Sequence, residues 1–122
     1  MNARFPRRLP VPYDLTAALD HEIAQEKAST LGRLGRQLEG ALGALAAFDM
    51  GCGDPMTLAE CDAREALVAE AGRVLWYFIV QREACGLRDA ARAMREYAVP
   101  AEVRIRMGMF PSPNPKSNTS RR

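Results

Sequence analysis

Apolar positions fall at helical spacing through most of this chain. Ala17, Ala24, Leu31, Leu38 and Leu45 recur every seven residues, and Leu34, Ala41 and Phe48 follow three positions after the last three. An a/d seam of this kind wants a helical partner. The spacing predicts a first long helix over 14–48, with Asp14 as its N-cap ahead of Leu15 and Leu19. Lys27 and Asp20 interrupt the seam, so the first turns are expected to pack elsewhere or to stay partly exposed. A second long helix carries Val68, Ala71, Leu75 and Phe78 on one face, widened by Leu67, Val74 and Ile79. At its centre, Val74-Leu75-Trp76-Tyr77-Phe78-Ile79-Val80 leaves no polar side, which predicts cover on every face. The run is far short of the ~20 residues that cross a bilayer.

The punctuation between these helices is specific. Asp49-Met50-Gly51-Cys52-Gly53-Asp54-Pro55 is a loop dense in turn formers. Its GCGD stretch lacks the length and the GK[ST] ending of a phosphate-binding loop, and no strand precedes it. Thr57-Leu58-Ala59-Glu60 has the form of a capping box, and Asp54 with Pro55 offers an alternative start three residues earlier. The second helix should stop at Cys85, with Gly86 in the left-handed region and Leu87 in the hydrophobic position of a Schellman ending. Asp89 then caps a third helix carrying Ala90, Ala93, Met94 and Tyr97. Val99-Pro100 breaks it, and a fourth helix runs to Met107 and ends at Gly108. The two short helices are expected to cover Trp76, Tyr77 and Val80.

Across so short a loop the long helices should pair antiparallel, with Phe48 opposite Leu58. That register sets His21 near Cys85, among Glu22, Gln25, Arg82 and Glu83, where residue types for a thiol nucleophile converge. Gly32, Gly35, Gly40 and Gly43 each weaken the first helix by about 1 kcal/mol relative to alanine. Either another helix approaches closely there, or the helix breaks near Gly32 to Gly35.

Composition narrows the class. The chain has 122 residues, 48% hydrophobic and 26% charged, enough for one domain with a core. The net charge of +2 conceals an uneven distribution: 1–13 and 109–122 carry six basic residues and no acid, so the body between them is acidic. An acidic body argues against a surface that tracks phosphates, although basic ends can add a salt-sensitive attraction. Cys52, Cys61 and Cys85 are an odd number without a CxxC pair, which fits a reducing compartment and no metal site. The first residues show no signal-peptide core, so the expected location is the cytoplasm, with no membrane span and no cofactor. Residues 1–13 read as a proline-spaced arm, packed on the domain or serving as a polyproline ligand, and 109–122 read as a disordered basic tail.

The runs Val80-Gln81-Arg82-Glu83-Ala84-Cys85-Gly86-Leu87-Arg88-Asp89, Tyr97-Ala98-Val99-Pro100-Ala101-Glu102-Val103 and Met107-Gly108 resemble a small family of uncharacterised proteobacterial helical proteins. The resemblance covers about 14–108, leaves both ends outside, and implies a fold without an assigned activity.

The sequence therefore predicts an all-α domain over 14–108: a long antiparallel hairpin, two short C-terminal helices, and a four-helix bundle on dimerisation. The expected function is non-enzymatic, a helical interaction or homodimerisation module using Gly32, Gly35, Leu38, Leu75, Trp76 and Phe78. One alternative is nucleic-acid binding through a degenerate helix-turn-helix at 89–107, with Arg104 and Arg106. There, five positions after Val99 stands Arg104 where the usual pattern has valine or isoleucine, and nucleic acid is the less expected partner. The other alternative is a thiol-dependent enzyme at His21 and Cys85.

Overall fold

The computed structural model describes residues 11–108, with side chains from Leu15 onward. It is all-α over that span: α1 (Val11–Gly51), α2 (Leu58–Ala84), α3 (Ala90–Glu96) and α4 (Ala101–Gly108). Residues 1–10 of the expected arm and the whole expected tail, 109–122, lie outside the described residues. Val11–Tyr13, read from sequence as arm, belong to α1, and Asp14 is therefore inside the helix and not its cap. Pro12 is tolerated because a helix's first turn has no use for the N–H that proline lacks.

Local chemistry sets the other boundaries. The Glu60 amide donates to Thr57 Oγ1 at 3.1 Å while the Thr57 amide donates to Glu60 Oε1 at 2.9 Å, so the capping box starts α2 and the alternative start at Asp54 is unused. At the other end Gly86 has φ +87°, with Leu87 N–H donating to the Arg82 carbonyl at 2.8 Å and Gly86 N–H to Glu83 at 3.0 Å. Those are the two bonds of a Schellman ending. Asp89 caps α3 by accepting from the Arg92 amide at 3.0 Å. α3 ends on the same two-bond pattern, Val99 N–H to Met94 and Ala98 N–H to Arg95, but with Ala98 at φ +51° where glycine is usual. An L-alanine there costs about 1 kcal/mol, which the packing of Val99 and Val103 beyond it offsets.

The core is one cluster: Leu38 and Leu45 from α1, Val68, Ala71, Val74, Leu75 and Phe78 from α2, Ala93 from α3, then Val99 and Val103. Seen down α2, its buried positions occupy an arc of about 160° at 100° per residue. α1 packs on one side of that arc and α4 on the other. Trp76, Tyr77 and Val80 point out of it and are 38%, 43% and 44% exposed. The expectation that the Val74–Val80 run is covered on every face is thus corrected. α3 and α4 lie over Ala71, Gly72, Leu75 and Phe78, not over Trp76 and its neighbours.

Close approach is confined to two glycines. A Cβ on Gly35 would stand 2.7 Å from Tyr97 Oη and 3.5 Å from Phe78 Cε1. On Gly72 it would stand 3.2 Å from the Met107 amide nitrogen. Gly40 and Gly43 face open space, and Gly32 would meet no more than the end of Arg36. α1 nevertheless continues unbroken through Gly32 and Gly35. Gly40→Ala and Gly43→Ala should each raise stability by about 1 kcal/mol in urea unfolding, because they remove backbone freedom from the unfolded chain and meet nothing in the folded one. A loss of stability in either would contradict the open placement.

Candidate interaction surfaces

The hairpin is asymmetric. At the turn, Arg64 Nε and Nη2 donate to Asp49 at 2.6 and 2.9 Å, and its Nη1 and Nη2 donate to Glu102 at 2.8 and 2.6 Å. One guanidinium thereby ties α2 to the end of α1 and the start of α4. At the opposite end, Gln81 Nε2 donates to the Lys27 carbonyl at 3.3 Å, Lys27 Nζ donates to the Ala84 carbonyl at 3.4 Å, and Cys85 Sγ lies 3.7 Å from the Lys27 carbonyl. α2 ends there, but α1 extends toward its N-terminus for roughly 16 more residues, or about 24 Å. Every residue from Leu15 to Ser29 is exposed.

This projection carries the stripe Leu15, Leu19 and Ile23, four residues apart and 54%, 48% and 53% exposed. Successive members advance 40° around the helix, so all three share one side. That side is rotated away from the Leu38 and Leu45 face, which is why the stripe does not read as part of the heptad seam. Its signal in the sequence was the four-residue spacing itself.

The expected register between the long helices was wrong by about six residues, under two turns. α1 runs past Phe48 to Gly51, so Asp49 already faces Arg64, and Cys85 meets Lys27 instead of His21. His21 lies about 9 Å further along α1 and two-thirds of a turn around it, exposed. The cleft beside Cys85 is lined by Asp20, Ile23, Ala24, Lys27, Ala28 and Ala84, without His21. The structure does not assemble the expected His21/Cys85 pair.

The expected interaction residues divide. Gly35, Leu38, Leu75 and Phe78 are buried inside the monomer, with Phe78 edge-on to Tyr97 at 5.1 Å between ring centroids. The chain itself covers them, so they are not available to a partner. Gly32 and Trp76 are exposed, and Trp76 stacks edge-on with Tyr77 at 5.2 Å. Of the two arginines expected to read nucleic acid, Arg104 is exposed, while Arg106 is ion-paired with Glu65 and lays its Cβ and Cγ over Gly72. Gly72 and Arg64 were not singled out from the sequence. A glycine in mid-helix was the available signal for the first, and only the fold brings the partners of the second together.

The charges respond as these contacts require. The Arg64 guanidinium holds the carboxyls of Asp49 and Glu102 below the usual range near 4, chiefly through its hydrogen bonds, against a smaller opposing effect of burial. A depressed carboxylate pKa stabilises the fold above the unfolded value and ceases to do so as pH falls through the lower folded value. Wild type should therefore be more stable than Arg64→Ala at pH 7, with the gap closing below about pH 4. A gap independent of pH in thermal unfolding would mean that Arg64 acts through packing alone.

Among the described residues the three cysteines are free, no cluster of His, Cys, Asp and Glu is arranged for a metal, and no helix is long and apolar enough to cross a membrane. Fold and surface together define an all-helical hairpin domain, buttressed by two short helices and carrying an exposed helical projection. Residues 9–116 match the model of a family of unknown function, DUF6665, and the chain belongs to that family. The match reaches beyond the 14–108 expected from sequence runs and takes in residues on both sides. No curated protein and no solved structure matches the chain.

Proposed function

We propose that this chain is a non-enzymatic helical protein-interaction module, and that it works through the projecting half of α1. The observation that carries this reading is the Leu15, Leu19 and Ile23 stripe, half-exposed on a helix that continues about 24 Å beyond the partner on which it should rest. A lone helix of this length is marginal in water, and three aliphatic side chains on one side are the anchors that helix-binding grooves take. The exposed Trp76, Tyr77 and Val80 on the outer face of α2 add a second apolar area.

A photo-crosslinking residue at position 19 of the full chain, introduced in living cells, tests the reading. The expected result is a discrete protein adduct that disappears when Leu15→Asp is added and is absent when the crosslinker replaces the exposed Glu39. Equal labelling from positions 19 and 39 would overturn it.

A further inference from the structure

We infer that the partner of the stripe is a second copy of this chain, and that the receiving site is the groove between α3 and α4. The inference rests on the reading of the projection as an interaction element and supplies its occupant. The groove holds about 530 Å³ and is lined by Ala91, Met94, Ala98 and Val99, with Arg95 and Arg104 also on its walls. Neither arginine forms an ion pair with another described residue.

The stripe has the opposite pattern. Its apolar members are bordered on one side by Glu22 and Glu26, one turn apart, and on the other by Asp20 and Lys27, whose charges offset, all exposed. An apolar ridge with an acidic border thus faces an apolar groove with basic walls. The fit is one of polarity and of charge together, and both halves belong to every copy. Along the Glu22 and Glu26 flank, charges of like sign would meet if two projections lay against each other about a two-fold axis, so charge complementarity selects the groove over a pairing of stripe with stripe.

Leu19 and Ile23 enter between α3 and α4 over Met94 and Val99, while Glu22 and Glu26 lie against Arg95 and Arg104. This is the helix-in-groove mode of recognition. Because each copy presents one ridge and one groove, two copies close by exchanging projections about a two-fold axis. Arg104, outward-facing on α4, is thereby a protein-contact residue.

Light scattering coupled to size exclusion, run on the full chain at micromolar to high micromolar concentration, tests the inference with three proteins. Wild type should show twice the 13.5 kDa chain mass. Leu19→Asp, which spoils the ridge, and Arg95→Glu/Arg104→Glu, which spoils the groove, should each run as monomers with unchanged helical circular dichroism. An equimolar mixture of the two variants should recover a heterodimer, since one intact ridge then meets one intact groove. Adding Glu22→Arg/Glu26→Arg to the groove variant should restore self-association. A monomeric wild type would overturn self-docking, as would a dimer indifferent to both variants or a mixture that stays monomeric. A position-19 adduct with another protein, found beside a monomeric wild type, would leave the interaction reading standing and remove this one.

Discussion

Leu75→Ala should cost about 2–5 kcal/mol, the range for truncating a leucine at a fully packed site. Leu75 is 0% exposed and shares the core with Leu38 and Val103, both also fully buried. It lies mid-arc on α2, with α1 to one side and α4 to the other. The methyl groups removed leave a void that three backbones must close in on, and rigid helices relax only partly. Against a total stability of about 5–15 kcal/mol, the loss is a large share. Urea unfolding should show the midpoint fall without a change in slope. The adjacent Trp76→Ala is the control. Trp76 is the larger side chain, but it is 38% exposed and outside the arc, so its removal should cost less than that of Leu75. The reverse order would show that the outer face of α2 is the buried one.

Gly72→Leu should dislodge α4. The Met107 amide nitrogen would lie 3.2 Å from the new Cβ, and the Arg106 Cβ and Cγ 3.3 Å from it. Backbone nitrogen cannot swing aside as a side-chain end can, so α4 must move bodily. Overpacking of this kind costs about 1–3 kcal/mol, against about 1 kcal/mol gained by replacing a helical glycine. The net loss is modest for the whole domain but concentrated at α4. Hydrogen exchange should quicken in Ala101–Gly108 far more than in the middle of α2, and the Arg64 to Glu102 bridge should weaken with it. Uniform quickening would show that α4 does not open separately.

Much of the fold was legible in residue order. The capping box at Thr57, the Gly86 ending of α2 and the Asp89 cap each depend on groups within a few residues of one another, so local chemistry settles them. The Leu38 and Leu45 seam was legible for the same reason, since helical periodicity is a local property. The candidate surface was legible only in part. Leu15 and Leu19 could be placed on the first helix, and the early seam could be seen to falter at Asp20 and Lys27. Nothing local says where the second helix stops relative to the first. The far ends pair about six residues away from the expected register, of which the three further residues of helix after Phe48 supply half, and this separated His21 from Cys85.

The sequence by itself determined the all-α class and the four helices of the described residues, with both caps of α2 and the Asp89 cap of α3, because hydrogen bonds within a turn and the 3.6-residue period act over a few positions. Tertiary structure alone decided the register, which side of Val74–Val80 is covered, the joining of Asp49, Arg64 and Glu102, and the length of the projection. Those depend on how rigid rods of unequal length lie against each other, and a small change at one end of a rod is carried undiminished to the other.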